Sequence, residues 1–392
     1  MAHAILSPSS AERWIHCPPS AVINAEAPRT DTVYTLEGTL AHAICELKGR
    51  RTFVLMDMLD AEAYNAEMAT LRADDLWQDE MDGYTDTWID ALRDIAEDYD
   101  QPPHVALEVQ VDFSEYVPDG FGTADCLMIG KIKGVTTLNV IDFKYGKGVA
   151  VAAEENPQMM LYALGALLDY DAIYDDIEAV RMTIVQPRIR SEPDSWELDA
   201  HTLLAWANAV VEPAAKLAIH GGGEFQEGDW CRFCAIRGSC RARAAANLAA
   251  AAMEFRLPPE LSDSEIGEAL ELGQRLKSWL SDLEEYALGA CLDGREIPGF
   301  KAVAGRSVRA WTDADAAFTA ALAAGIPEAV LYERKPVTLA ALEKTLGKRN
   351  FLETLGQFVQ TPPGKPTLAK SDDRRPAITG HITAKQDFEE EE

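Results

Sequence analysis

Residues 140–148 read Val140-Ile141-Asp142-Phe143-Lys144-Tyr145-Gly146-Lys147-Gly148. The apolar start of this segment predicts a buried β-strand, and the strand then presents an acid and a lysine two positions apart. Side chains two positions apart on a strand face the same side of the sheet, so Asp142 and Lys144 are expected to be neighbours. A metal-holding carboxylate beside a cation suits the hydrolysis of phosphodiesters. A surface ion pair on a strand has the same pattern and is much the commoner case.

Alternating and apolar runs surround this strand and predict a core that mixes helices and strands. Three β-rich runs, at 105–111, 121–129 and 136–143, predict an antiparallel meander. The following segments predict, in order, a helix at 156–170, a strand at 177–185 and a helix at 201–220. The sequence therefore predicts an α/β fold in which helices flank a mixed sheet.

Three parts of the chain differ in character. Residues 1–255 are expected to form the main domain, with a helical insertion at about 60–100, where apolar residues recur at helical spacing among many acids. Residues 256–360 are expected to be mainly helical, with a long helix at 262–292 and short strands within 300–311. Residues 361–392 are rich in Pro, Lys and Asp and end in four glutamates, which predicts a flexible, acidic-ended tail.

Composition favours a globular protein of the cytoplasm. The chain has 392 residues, of which 47% are hydrophobic, enough for well-buried cores. No stretch approaches the roughly 18 consecutive apolar residues of a membrane span, and the N-terminus lacks the pattern of a secretory signal. The net charge of −29 argues against a broad nucleic-acid-binding surface. It still allows a narrow channel with a few basic side chains and divalent cations.

Four further polar residues lie where they can reach Asp142 and Lys144. Asp125 sits on the preceding strand, where cross-strand pairing brings it beside Asp142. His42, on a helix predicted over 36–48, can offer a nitrogen ligand to a metal. Gln158 and Tyr162 lie four residues apart on one helix face and can contact a phosphate or orient Lys144. Each of these residues, taken singly, is also compatible with a structural role.

The order and spacing of these motifs resemble those of RecB-type nucleases in the PD-(D/E)XK superfamily: His42, Gly122-Thr123-Ala124-Asp125, Asp142-Phe143-Lys144 and Gln158-x-x-x-Tyr162. The resemblance covers residues 1–255 and implies a restriction-endonuclease-like core. The acid at position 142 is Asp where many members of the superfamily have Glu, a variant that leaves the assignment intact.

The resemblance also assigns roles to the residues. It implies metal ligation by His42, Asp125, Asp142 and the Phe143 carbonyl. Lys144 would be the catalytic lysine, and Gln158 and Tyr162 would support the site or contact DNA. Glu108, on the strand before Asp125, lies where some relatives carry an additional acid and is a weaker candidate. Further candidates for DNA contact are Lys147, Arg188, Arg190, Arg232, Arg237, Arg241 and Arg243.

Four of the seven cysteines have the spacing of a metal or cluster site. Cys231, Cys234 and Cys240 form C-x2-C-x5-C, and Cys17 is the natural fourth ligand because four thiolates suit a 4Fe-4S cluster or zinc. Spacing alone does not separate iron from zinc. One early cysteine followed by three clustered ones resembles the iron-sulfur staple of the AddB subunit and of CRISPR-adaptation nucleases, which implies iron. The remaining thiols, Cys45, Cys126 and Cys291, are expected to be buried.

The resemblance implies a deoxyribonuclease that uses Mg²⁺ or Mn²⁺ to hydrolyse DNA from linear duplex ends. Through 299–301 and 305–311, the chain also resembles a phage or prophage family of such nucleases, whose genes commonly accompany a single-strand annealing protein. This implies a role in phage recombination in a bacterial cytoplasm, with that protein as a partner, and leaves a homo-oligomer open. Two other classes remain: a DNA-binding or recombination scaffold that does not cleave, and a zinc-bound interaction protein. The joint presence of Asp125, Asp142 and Lys144 argues against the scaffold.

Overall fold

The structure is a computed structural model that describes residues 4–28, 32–53, 61–174, 176–251, 262–304 and 313–324, together with isolated positions between 327 and 359. The chain divides into two compact units, residues 1–303 and 304–392. The first unit contains the sheet and all the predicted site residues. The predicted tail, 361–392, lies outside the described residues.

The elements of the first unit follow in the order α1 (Ala11–His16), α2 (Ser20–Glu26), α3 (Val33–Phe53), α4 (Ala61–Arg72), α5 (Glu80–Glu97), β1 (His104–Asp112), β2 (Phe121–Ile132), β3 (Val135–Phe143), α6 (Pro157–Tyr170), β4 (Ala179–Val185), β5 (Asp194–Asp199), α7 (Ala200–Trp206), α8 (Glu212–Ala218), α9 (Arg241–Ala251) and α10 (Asp263–Leu292). Short 3-10 helices lie at Pro8–Ser10 and Asp229–Phe233, and a π-helical segment, Ala207–Val211, joins α7 to α8. The described part of the second unit includes α11 (Ala314–Ala323). In the ranges that the structure describes, no helix is long and apolar enough to cross a bilayer.

The five strands form one mixed sheet in the order β1-β2-β3-β4-β5. The first three strands are a meander, because β1 pairs antiparallel with β2 and β2 antiparallel with β3. Strand β4 then runs parallel to β3, which requires a crossover, and α6 supplies it. Strand β5 returns antiparallel to β4 and ends the sheet. The candidate site residues of β2 and β3 thus lie in the interior of the sheet.

Both faces of the sheet are covered by helices. Neighbouring residues of a strand point to opposite faces, and the two hydrophobic clusters divide accordingly. Leu127 and Val140 belong to a cluster with the apolar side of α6, whereas Cys126 and Ile141 belong to a second cluster with residues of α3 and α5. The sheet is therefore the middle layer of three.

A buried lysine fixes the helix that carries His42. Lys48 of α3 is 8% exposed. Its ammonium donates to the Asp82 carbonyl at 3.0 Å, to Thr85 Oγ1 at 2.9 Å and to Asp86 Oδ1 at 2.6 Å, all on α5. Three donors on one ammonium are thus satisfied, which makes its burial tolerable. The contact holds α3 against α5 and so determines where His42 stands.

The structure confirms the predicted α/β class, with a five-stranded mixed sheet flanked by helices, and the antiparallel meander. Helices α4 and α5 occupy the predicted insertion. The edge strand β5 was not predicted, because Asp194–Asp199 carries only two apolar side chains, Trp196 and Leu198. Of the short strands expected within 300–311, the described residues include a bridge between Ile297 and Phe300, and residues 305–312 lie outside them. The PD-(D/E)XK core and the boundaries at 255 and 360 stay predictions.

Candidate functional site

The acids of β2 and β3 meet where the pairing of these strands ends. Cys126 and Ile141 are the last paired residues, so Asp125 and Asp142 are the next residue on each strand. The Phe143 backbone N–H donates to Asp125 Oδ2 at 2.7 Å. The Asp125 side chain therefore replaces a bond of the ladder, and the structure brings the two acids together as predicted.

Asp125 belongs to a close group of three potential metal ligands. Ligand atoms of His42, Glu108 and Asp125 all lie within 4.8 Å of one another, and His42 Nδ1 is 3.4 Å from Asp125 Oδ1. Helix α3 contributes the imidazole, while β1 and β2 contribute the two carboxylates. Oxygen donors with one imidazole suit Mg²⁺ or Mn²⁺, so the side chains present fit the proposed ion.

Glu108 reaches this group through an unusual backbone. It lies between the paired residues Leu107–Cys126 and Val109–Ala124, and its φ is +48°. A left-handed residue inside a strand is disfavoured for every residue type with a Cβ, and such strain concentrates at functional sites. This backbone conformation directs the Glu108 carboxylate towards Asp125.

The Lys144 ammonium is held by a line of polar side chains. Its Nζ is 2.9 Å from Asp142 Oδ2 and donates to Gln158 Oε1 at 3.2 Å. Gln158 Nε2 in turn donates to the Tyr162 hydroxyl at 3.1 Å. Because the amide nitrogen is engaged by Tyr162, the amide oxygen faces the ammonium. Tyr162 thus orients Gln158, and Gln158 orients Lys144.

The start of α6 sets the position of Gln158. Asn156 caps this helix, since its side chain accepts bonds from the backbone N–H groups of Gln158 at 3.0 Å and Met159 at 3.3 Å. Pro157 follows at the first helical position, where its missing N–H costs nothing. The cap places Gln158 on the first turn, directly facing Lys144.

Several ionisable side chains of the site lie close together and are largely shielded from solvent. Burial and then Asp125 raise the pKa of Glu108 to about 7. Burial alone would lower the pKa of His42, but the Asp125 carboxylate raises it to about 9. Burial raises the pKa of Asp142 against the opposing effect of Lys144. The acids therefore repel one another at neutral pH, and a divalent cation at this place would relieve that repulsion.

The Tyr162 ring packs against Gly122, where a larger residue would not fit. A Cβ at this position would lie 2.7 Å from Tyr162 Cε1 and 2.8 Å from Pro8 Cγ, closer than real contacts allow. We expect Gly122→Ala to displace the Tyr162 ring and to cost about 1–3 kcal/mol of stability. Thermal unfolding measures this cost, and Gly38→Ala, at a position with open space around it, is the control. Equal melting temperatures for the two variants would contradict the expected clash.

Several predicted DNA-contact residues are engaged by carboxylates. Arg188 pairs with Glu80 at 2.9 Å and Arg190 with Asp194 at 2.8 Å. Asp282 of α10 accepts from both Arg237 and Arg243. These ion pairs join neighbouring segments of the fold, so the arginines have a structural role that does not require DNA.

The four predicted cysteine ligands line one pocket. Cys17 at the end of α1 joins Cys231, Cys234 and Cys240 of the later loop. Protein contacts hold the two segments together: Ala235 N donates to Asn24 Oδ1 at 2.8 Å, and the rings of His16 and Trp230 stack at 4.2 Å. Cys45 and Cys126 are fully buried in the core as predicted, whereas Cys291 is half-buried.

Comparison with known proteins gives the family. Residues 3–376 match the family model described as "Protein of unknown function (DUF2800)". The chain belongs to the DUF2800 family. It is also similar to a crystal structure from Eubacterium rectale described as "Putative exonuclease", with a TM-score of 0.32 and 10% identity over 67% of this chain and 92% of that chain.

Two features of this DUF2800 chain were missed or undervalued on sequence alone. Glu108, the weaker metal candidate, belongs to the close group, whereas Asp142 pairs with Lys144. No sequence pattern predicts a glutamate with a left-handed backbone conformation. Arg13 and Ser20 line the cysteine pocket and were missed; their closeness in sequence to Cys17, four residues before it and three after it, is the signal that could have found them.

Proposed function

We propose that this chain is a metal-dependent DNA exonuclease that hydrolyses phosphodiester bonds. The observation that carries the proposal is the joint placement of Asp142, Lys144, Gln158 and Tyr162, linked by one ion pair and two hydrogen bonds, beside the group of His42, Glu108 and Asp125. The amide of Gln158 and the phenol of Tyr162 orient this partly buried lysine. Phosphodiester hydrolysis needs such a cation beside a metal-binding group.

Mg²⁺ or Mn²⁺ would be held by His42, Glu108 and Asp125, with Asp142 and the Phe143 carbonyl as further ligands. When bound, such an ion supplies Lewis acidity and a water that loses its proton more easily. The ligands come from α3, β1, β2 and β3, all fixed by the two hydrophobic cores. The site is therefore pre-organised before DNA arrives.

Lys144 is the residue that meets the developing negative charge. Burial alone would lower its pKa, but the Asp142 carboxylate raises it above the usual value, so the ammonium keeps its proton at neutral pH. Its donor atoms are aimed by Asp142 and Gln158, so little reorganisation is needed when charge develops on the phosphate oxygens. Asp142 and Gln158 act here by positioning the ammonium.

The proposed substrate is linear duplex DNA, entered from an end. The net charge of −29 disfavours wrapping of DNA over a wide surface. Local binding of one DNA strand end, assisted by the metal ion, is more compatible with that net charge. The cellular role proposed is resection in phage or prophage recombination in a bacterial cytoplasm, with a single-strand annealing protein as partner and self-association as an open arrangement.

The second cofactor proposed is a 4Fe-4S cluster on Cys17, Cys231, Cys234 and Cys240, with zinc as the alternative. Support comes from the pocket that all four cysteines line. When bound, such a group ties the start of the first unit to the loop after α8 and is structural. Iron, zinc and acid-labile sulfide measured in anaerobically purified protein distinguish the two metals.

The test of the nuclease is hydrolysis of end-labelled linear DNA by the full chain, with closed circular DNA as the comparison. Linear DNA is expected to disappear with Mg²⁺ or Mn²⁺ and to persist with EDTA, and circular DNA is expected to persist throughout. Asp125→Asn is expected to abolish the reaction, since it removes a ligand from the close group. Asp94→Asn, an exposed acid of α5, is the matched control. DNA binding without cleavage under every metal would replace the proposal with the scaffold.

A further inference from the structure

Two buried polar atoms at the cysteine pocket lack a partner. Arg13 Nε and Ser20 Oγ are shut off from solvent and have no hydrogen-bond partner among the described residues, and both residues line the pocket of the four cysteines. Ser20 is 2% exposed. Buried donors in folded proteins are nearly always paired, because an unpaired one loses its bonds to water without replacement. Both atoms therefore require an acceptor that lies in the pocket.

The rest of each residue is already fixed by the protein. Arg13 stands one turn before Cys17 on α1, and its Nη1 donates to the Phe233 carbonyl at 2.9 Å. The Ser20 backbone N–H donates to the Cys17 carbonyl at 2.9 Å. The contact of Nη1 restricts the direction in which the Arg13 Nε–H points. In this conformation both Arg13 Nε and Ser20 Oγ are shut off from solvent.

The pocket that Arg13 and Ser20 line is bounded by the thiols of Cys17, Cys231, Cys234 and Cys240. Asn24 Nδ2 already stands 3.7 Å from Cys234 Sγ as a donor to sulfur. The wall of the pocket thus presents N–H and O–H groups to a space bounded by thiols.

We propose that Arg13 Nε–H and Ser20 Oγ–H donate hydrogen bonds to the sulfur atoms of the iron-sulfur cluster held by the four cysteines. This inference rests on the proposed cluster and is independent of the nuclease reaction. Hydrogen bonds to sulfur stabilise the extra negative charge of the reduced cluster, so they raise its reduction potential. They also hold the cluster against exchange with solvent.

The experiment uses anaerobically purified full-length protein and the variants Ser20→Ala and Arg13→Lys. Ser239→Ala and Arg232→Lys are the matched controls, because both residues are exposed on the cysteine loop and do not line the pocket. Iron and sulfide content, the reduction potential from spectroelectrochemical titration, and the rate of iron release to a chelator are measured. Far-UV circular dichroism checks that each variant is folded.

The two pocket variants are expected to have a more negative potential than the unmodified protein and to release iron several-fold faster, while the controls match the unmodified protein. Complete loss of iron from folded Ser20→Ala, with iron retained in Ser239→Ala, also supports the inference. Unchanged potential and unchanged release in both pocket variants overturn it. Unmodified protein that carries zinc and no iron overturns it together with the proposed cluster, and leaves the nuclease test with Asp125→Asn unaffected.

Discussion

Replacing Lys144 with alanine is expected to slow DNA hydrolysis by about 10³-fold, the usual cost of removing a donor aimed at charge that develops in a transition state. The ammonium is held at 2.9 Å by Asp142 and at 3.2 Å by Gln158, so its position in the site is set by both neighbours. Arginine is not expected to restore the rate, because a planar guanidinium does not occupy the position of a compact ammonium. Initial rates on end-labelled linear DNA at saturating Mg²⁺ or Mn²⁺ measure the effect.

The same substitution has a cost in stability that must be separated from catalysis. It leaves Asp142 buried without its counter-charge, which costs about 3–5 kcal/mol unless the carboxyl takes up a proton. The combination Lys144→Met with Asp142→Asn removes both charges and keeps similar volumes. This double variant is expected to unfold close to the temperature of the unmodified protein and to remain inactive.

A matched control completes the experiment. Lys131→Ala removes an exposed lysine from β2 and is expected to change neither stability nor rate. If folded Lys144→Ala hydrolyses DNA within tenfold of the unmodified rate, the role assigned to Lys144 is wrong. The proposed metal site would then need another partner for the phosphate.

Local rules were sufficient to predict how Asp125, Asp142 and Lys144 lie together. The two-residue period of a strand puts Asp142 and Lys144 on one side, and a hairpin puts Asp125 beside Asp142. The same reasoning holds for Gln158 and Tyr162, one helical turn apart. These relations depend on spacing within a single element or between adjacent strands, so they can be read from the sequence.

Contacts that depend on the tertiary fold could not be predicted in this way. Glu108 joins the site through a left-handed backbone that glutamate rarely adopts. The sequence around Lys48 is that of an ordinary exposed helical lysine, and only the packing of α5 against α3 buries its ammonium. Strand β5 does alternate, but Trp196 and Leu198 are its only apolar residues, and two apolar positions are too few to predict a strand without its pairing to β4. In each case neighbours distant in sequence decide the outcome.

Cys231→Ser is expected to remove the cluster and to lower the melting temperature by about 10 °C, because a structural metal centre contributes its binding energy to folding. Cys231 is 8% exposed and lines the pocket that joins the N-terminal helices to the later loop. Cys291→Ser, in α10, is the control, since its thiol lies outside that pocket. Iron content and thermal unfolding of anaerobic protein measure both effects.

Loss of the cluster is also expected to reduce DNA hydrolysis, although no cysteine belongs to the nuclease site. The segment that ends at Cys17 begins beside that site: Pro8 packs where Gly122 and Tyr162 meet, and Trp14 Nε1 donates to the Ser7 carbonyl at 3.1 Å. Releasing Cys17 therefore loosens the residues that hold Tyr162, and Tyr162 orients Gln158 towards Lys144. Proteolysis within 11–28 should accelerate in parallel with the loss of activity. Full activity in iron-free, folded Cys231→Ser would show that the two sites are independent.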